Sequence, residues 1–425
     1  MSKVELLSPA GNLEKLKIAL NYGADAVYGG VSHFSLRIRS GKEFDVEDYK
    51  AGIDYAHTLG KKVYTTINGF PFNSQIKLLE KHIAMMNELS PDAFIVATPG
   101  VVKLCRQIAP NMPLHLSTQA NVMNYLDAQV YFDMGVKRII AAREISLKDV
   151  EEIKKRLPEL EIEIFVHGSM CFAYSGRCLI SAVQMGRVPN RGSCANDCRF
   201  DYTLYAENKD HGTLFRLEED PGVGTYIFNA KDMNLASHID EILKSGCIDS
   251  VKIEGRTKSP YYAAVTAKAY REAIDDFYAN NFKAQKYQDE LNTTKNRGFT
   301  DAYLIHRPFE KNDAQNHEYA LSKGSFEVCG LVCEDEEHFY CKYKIYPNEK
   351  IEIFAPKGAI FEPVKNEIGE IFYEDSKPFI TFFKIITSEG KELSSVHSGN
   401  TNKIKLPAKM TYLTMFRKEE EVVEI

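Results

Sequence analysis

Arg138-Ile139-Ile140-Ala141 … Ser146-Leu147-Lys148-Asp149 … Ile162-Glu163-Ile164-Phe165-Val166 has the form of a strand, a helix start and a second strand, and this stretch decides the fold. The flanking runs are short, β-branched or apolar, and of strand length. Between them, Ser146 and Asp149 have the spacing of a capping box, which starts a helix. The theme repeats outward in both directions. Residues 4–7, 26–28, 63–67, 93–96, 113–116 and 250–253 are further candidate strands. Asn12 precedes the periodic Leu13, Leu16 and Leu20, and Asp45-Val46-Glu47-Asp48 repeats the capping pattern. Such alternation favours parallel strands covered by helices. Eight strands in about 250 residues match a (β/α)8, TIM-barrel-like domain, assigned here to residues 1–322. An open doubly wound sheet is the rival, because closure leaves no mark in a sequence.

After Val166 the chain enters a segment, residues 168–227, too long for an ordinary βα connection. It lies at the face where barrel enzymes place their sites. It carries four of the nine cysteines in the 425-residue chain: Cys171, Cys178, Cys194 and Cys198. The opening Met1-Ser2-Lys3-Val4-Glu5 has no signal-peptide pattern, and no apolar run of membrane-spanning length follows. The expectation is a cytoplasmic protein without a membrane partner, with its thiols reduced. Four thiolates that can converge suit zinc or an iron–sulfur cluster. Only Cys194 and Cys198 have the close spacing usual for zinc, and the all-cysteine set leans towards iron–sulfur; both stay open on spacing alone.

The net charge of −6 argues against a general nucleic-acid coat, although a local basic site can still bind. The stretch from Cys171 to Arg199 is such a site, with Arg177, Arg187, Arg191 and Arg199 against one acid, Asp197. Its bland alternative is a solvated loop. Polar groups also gather at the other strand ends: Asn68, Ser117-Thr118-Gln119, Arg143-Glu144, His167 and Glu254-Gly255-Arg256. Arg37, Arg39, Arg143 and Arg256 suit bidentate recognition of carboxylate or phosphate, unless they pair internally with Glu144 or Glu254. His167, Glu144 and Glu254 are the candidate catalytic groups. No HExxH helix and no GxSxG elbow is present. Cys171 and His167 are near enough in sequence for a thiolate–imidazolium pair, a role that competes with metal ligation.

A helical pattern runs over residues 261–281. Beyond residue 323 the texture changes to short alternating runs, 326–332, 339–345, 350–354 and 379–386, the mark of a small antiparallel β domain over 323–425. Its Cys329, Cys333 and Cys341 lack a fourth partner and are expected to be core thiols.

The stretch Glu163-x-Phe165-x-His167-Gly168-x-x-Cys171-x-x-Tyr174-Ser175-Gly176-Arg177-Cys178-x-x-Ser181, with Cys194-x-x-x-Cys198-Arg199, resembles the signature of peptidase family U32. Residues 6–12, 24–30 and 296–300 extend the resemblance. Thr300-Asp301-Ala302-Tyr303-Leu304 departs from the usual glycine and phenylalanine, which bears on the substrate. The family includes collagenases and oxygen-independent hydroxylation proteins. The resemblance implies a [4Fe-4S] cluster on Cys171, Cys178, Cys194 and Cys198. It also implies an RNA-modifying activity, foremost 5-hydroxyuridine formation at the tRNA wobble uridine with prephenate as cosubstrate. Prephenate would sit with Arg37, Arg39, Arg143 and Arg256. The tRNA would meet Arg177, Arg187, Arg191 and Arg199, with Tyr174 and Phe172 as stacking platforms. Iron–sulfur assembly machinery and an electron donor are the further partners implied. The rivals are a collagenase-like endopeptidase, with zinc on the same cysteines, and a non-catalytic zinc-stapled RNA-binding protein.

Overall fold

A computed structural model describes residues 3–31, 34–36, 44–217, 228–306, 314–316 and 324–419. The barrel strands are β1 (Glu5–Pro9), β2 (Ala26–Gly29), β3 (Lys62–Ile67), β4 (Ala93–Val96), β5 (Leu114–Leu116), β6 (Arg138–Ile140) and β7 (Glu161–Ser169). The chain then leaves the barrel through a hairpin of β8 (Leu204–Asn208) and β9 (Thr213–Leu217), and returns at β10 (Asp232–Asn234). The eighth barrel strand is β11 (Ser250–Ile253). Consecutive strands pair in parallel, and β11 pairs in parallel with both β1 and β7, so the ring closes. Closure excludes the open doubly wound sheet.

The helices are α1 (Leu13–Asn21), α2 (Val46–Thr58), α3 (Ile76–Glu88), α4 (Pro99–Ile108), α5 (Tyr125–Asp133), α6 (Leu147–Arg156), α7 (Ile180–Met185), α8 (Ile239–Lys244), α9 (Pro260–Tyr278) and α10 (Ala284–Asn292). Their starts follow the expected chemistry. Asn12 and Asp45 accept the backbone N–H groups of Lys15 and Asp48, and Ser146 with Asp149 forms the reciprocal box. These bonds satisfy donors that the first helical turn leaves without partners. None of the described helices is long and apolar enough to cross a membrane.

Barrel interiors are ordinarily filled by branched apolar side chains, but here part of the lumen is charged. Arg138 donates to Glu5 at 2.5 Å and to Glu163 at 3.1 Å, and Lys252 Nζ donates to Glu163 at 2.9 Å. Glu163 has no exposed surface. Buried charges persist only when paired and hydrogen-bonded, and this network meets that condition with two cations against Glu5 and Glu163.

Two irregularities shape the barrel's upper rim. The β7–β11 register slips by one residue, pairing Phe165 with Lys252 and His167 with Ile253, so Val166 is the extra residue of a bulge. A bulge re-aims the side chains beyond it. The overhanging end of β7 then pairs antiparallel with β10, setting Ser169 opposite Asp232. β12 (Phe299–Thr300) lies parallel to β10.

The second sheet is built from β13 (Phe326–Val332), β14 (His338–Cys341), β15 (Lys350–Phe354), β16 (Val364–Lys365), β17 (Gly369–Glu374), β18 (Lys377–Phe382), β21 (Ile404–Lys405) and β22 (Met415–Glu419). A small hairpin of β19 (Ile385–Ile386) and β20 (Glu392–Leu393) completes the region. The eight strands pair antiparallel in the order β16-β17-β18-β15-β22-β13-β14-β21. Two expected runs are broken. The run 379–386 splits because the N–H groups of Phe383 and Lys384 both turn to the carbonyl of Ile368. The run 339–345 stops at Cys341, where Lys342 and Tyr343 both donate to Cys329 O. Cys329, Cys333 and Cys341 are buried. The expected domain boundary at 322/323 lies outside the described residues.

This sheet shares a core with the barrel. Leu331, Phe354, Leu413 and Met415 pack into the barrel's hydrophobic cluster. Tyr22, the residue that caps the end of α1, stacks on Phe354 with ring centroids 5.3 Å apart, and its hydroxyl donates to the carbonyls of Phe354 and Leu413. Arg417, 2% exposed, donates to Glu352 of β15, Glu290 of α10 and Tyr261 of α9.

Candidate active site

The insertion folds back over the barrel mouth and encloses a cavity. Cys171, Cys178, Cys194 and Cys198 all line it, together with Tyr28, Gln119, Arg143, Phe165, Lys252, Glu254 and Arg256. Cysteines spread over 28 residues therefore open into one space, against the same wall as the polar strand ends.

The local backbone explains how. Gly168 has φ +116°, and a Cβ there would lie 2.5 Å from the carbonyl oxygen of Glu254. Only glycine permits that approach of the loop's first residue to β11. Ser175 has φ 42° and Asn196 φ 62°, both left-handed. Ser175 is fixed by Glu144, whose carboxylate accepts its N–H at 2.7 Å and also its hydroxyl. The Ser175 hydroxyl oxygen in turn accepts the N–H of Arg143 at 3.0 Å. Glu144 thus serves as an anchor of the loop.

The four thiols are half-buried. Burial raises the Cys198 thiol; Arg199 opposes that, and charge on the other three cysteines adds to it. The N–H groups of Ile180 and Asn196 lie 3.4 Å from the sulfurs of Cys178 and Cys194. Such hydrogen bonds favour thiolates and tune bound clusters. Among the described residues, no three His, Cys, Asp or Glu side chains are grouped as one metal ion would require. Four thiols opening into one space are a donor set that fits a cysteine-ligated metal group, whether zinc or iron–sulfur.

Of the arginines expected at the mouth, two are in place. Arg143 Nη2 donates to Glu254 at 2.6 Å, and its guanidinium lies 4.0 Å from the centre of the Phe165 ring. Arg256 donates to the Ser35 hydroxyl at 2.6 Å, to the Thr66 hydroxyl at 3.2 Å and to Leu36 O. Arg37 and Arg39 lie outside the described residues. Glu254 reaches the cavity as Arg143's partner.

His167 does not line the cavity. The β7 bulge turns it outwards, where its ring lies against Tyr262, Tyr270 and Phe299, with Nδ1 3.3 Å from the Tyr270 hydroxyl. Burial pushes the imidazole down to about 3, although Asp232 opposes this. The thiolate–imidazolium pair considered for His167 and Cys171 is therefore not assembled at the cavity.

The outer face of the loop is basic and aromatic. Arg177 is exposed and tied by Nε to Gln119 O at 2.8 Å, while Arg191 covers the Phe72 ring at 4.2 Å. Arg187 and Arg199 are half-buried. Phe172 and Tyr174 are 49% and 45% exposed, as a stacking platform requires.

Two features escaped the sequence reading. Lys252 and its partner Glu163 face the lumen; the signal was a charged residue inside each of two otherwise apolar strands. Arg297 is buried and paired with Asp232; burial lowers its guanidinium from the ordinary value, with Asp232 opposing. It was visible only as part of the 296–300 motif.

Residues 11–314 match the model of Peptidase family U32. The chain is 63% identical over 422 residues to the tRNA hydroxylation protein P of Helicobacter pylori (strain ATCC 700392 / 26695), covering 99% of this chain and 100% of that one. It is 38% identical over 415 residues to the tRNA hydroxylation protein P of Escherichia coli (strain K12), covering 87% and 91%. A collagenase of Porphyromonas gingivalis (strain ATCC BAA-308 / W83) is 29% identical over 314 residues, covering 71% and 73%.

Proposed function

The chain belongs to peptidase family U32, and from that premise we propose that it is a tRNA-hydroxylating enzyme. The substrate position is the wobble uridine, the product 5-hydroxyuridine and the cosubstrate prephenate. The observation that carries this is the single cavity shared by four cysteines and by Arg143, Lys252 and Arg256. Similarity along nearly the whole chain to a tRNA hydroxylation protein supports it.

Cys171, Cys178, Cys194 and Cys198 would hold a [4Fe-4S] cluster, which when bound supplies one-electron transfer at the cavity wall. The protein's own groups do the rest. Arg143 and Arg256 orient an anionic cosubstrate through planar N–H edges. Tyr28 and Phe165 exclude water from the floor. Arg177, Arg187, Arg191 and Arg199 meet tRNA phosphates, so binding weakens steeply with salt. Phe172 and Tyr174 stack a splayed loop base. Iron–sulfur assembly machinery, an electron donor and a cytoplasmic location belong to the same reading. A peptidase would need an activated nucleophile, and His167 packs away from the thiols.

The test is nucleoside analysis of tRNA from cells lacking the gene, complemented with wild type or with each Cys→Ala variant at the four positions. Loss of 5-hydroxyuridine restored by the wild type alone is expected. Undiminished 5-hydroxyuridine in the deletion strain would overturn the proposal. Iron and sulfide measured on protein purified without oxygen test the cluster separately.

A further inference from the structure

The lumen holds one nucleophile that the site chemistry above leaves without a task. Lys252 is 3% exposed, yet it lines the cavity beneath the cysteine loop. Its Nζ lies 4.2 Å from the centre of the Tyr28 ring and 5.6 Å from that of Phe165. On its other side, Glu163 Oε1 is 2.9 Å away. Glu163 is itself pinned by Arg138 at 3.1 Å, so the carboxylate cannot swing away from the amine.

We propose that the cavity takes a 2-oxo acid and that Lys252 forms an imine with its keto carbon. The step balances without an oxidant or reductant. Glu163 first takes a proton from the Lys252 ammonium with which it is paired. The amine lone pair then forms the C–N bond while the carbonyl π pair moves to oxygen, and a second proton passes from nitrogen to that oxygen to give the carbinolamine. Glu163 returns its proton to the hydroxyl, which leaves as water as the nitrogen lone pair closes the C=N bond of the protonated imine. Burial lowers the Lys252 ammonium from its ordinary value, with Glu163 opposing and Arg138 assisting, and a desolvated lysine is the usual imine-forming amine.

The rest of the wall suits the same ligand class. The Arg143 guanidinium presents five N–H groups, and Nη2 is the one that serves Glu254; the remaining edge suits a carboxylate. Gln119 Oε1 is buried on the wall without a hydrogen-bond partner, an acceptor for a hydroxyl or imine N–H. Buried acceptors of this kind are costly unless satisfied.

This inference deepens the hydroxylation reading and rests on it for the use to which the imine is put. Its test needs no tRNA. The anaerobically purified protein is incubated with pyruvate or phenylpyruvate and sodium cyanoborohydride, then analysed by intact mass and peptide mapping. The expected result is one reduced keto-acid adduct per chain, on the peptide carrying Lys252. It should be lost in Lys252→Arg, which keeps the charge for Glu163, and in Lys252→Met. No adduct on Lys252 in the wild type overturns the proposal, as does labelling spread over surface lysines to the same extent in folded and unfolded protein. Mapping on the wild type decides the matter even where a variant fails to fold. If trapping fails while 5-hydroxyuridine still depends on the gene, only the imine is lost; trapping without hydroxyuridine dependence removes the tRNA reading instead.

Discussion

Ser175 holds a left-handed backbone that costs a non-glycine residue free energy, and the two bonds from Glu144 compensate for it. Glu144→Ala should therefore loosen the cysteine loop and lower stability by about 2 kcal/mol, the scale of hydrogen bonds to a charged group. Hydrogen exchange over residues 170–200 would report it; unchanged protection would refute the anchor. His167 makes a pH prediction. Its folded imidazole stays neutral down to about pH 3, while in the unfolded chain it protonates near 6.5. The unfolded state therefore binds the extra proton in that window. The stabilisation is complete above pH 6.5 and declines as pH falls towards 3, by about 2 kcal/mol at pH 5. Denaturant titrations should give a flatter acid limb for His167→Gln, and an identical slope would contradict the assignment. At this scale the four cysteines, Arg143 and Arg256 stand out in the sequence because their side chains carry chemistry on their face, and the structure gathers them around one cavity. The anchoring role of Glu144 was not legible, because a carboxylate looks the same whether it holds a loop or a proton.

Among the elements, β7 does most to set the site. Strict alternation would send Glu163, Phe165 and then His167 into the lumen; the bulge at Val166 sends His167 outward instead. Bulges depend on partner register, which one strand's sequence does not reveal, so this exception was invisible. The strands themselves were found to within a few residues, because short apolar runs bounded by capping residues leave few alternatives. The end of β7 makes a sharp prediction. Gly168→Ala forces a Cβ against the Glu254 carbonyl at φ +116°, with strain of about 1–3 kcal/mol. The melting temperature should drop, and the displaced Glu254 should release Arg143, seen as weaker binding of anionic ligands. A variant with wild-type melting and binding would mean that β7 and β11 tolerate separation there.

For the whole molecule, the second sheet is held to the barrel by Arg417, which bridges β15, α9 and α10 from a nearly sealed position. Removing one partner from a buried ionic network leaves the others uncompensated. Arg417→Ala should cost about 3 kcal/mol or more, and it should couple strongly to Glu290→Gln in a double-mutant cycle; additive effects would show that the bridge is incidental. This docking left no periodic signal in the sequence, since Arg417 meets Glu352, Glu290 and Tyr261 across 65, 127 and 156 residues of chain. The excursion from the barrel has a different kind of consequence. It departs at Ser169 and comes home at Asp232, directly opposite on the neighbouring strand, so its two ends are tied whatever lies between. Chain statistics make such a closed detour insensitive to its own length, with a doubling costing only about 0.6 kcal/mol. The scaffold can then lengthen or shorten the part of the detour beyond Cys198 while the four cysteines keep their place over the lumen, changing what is presented to the cavity from above.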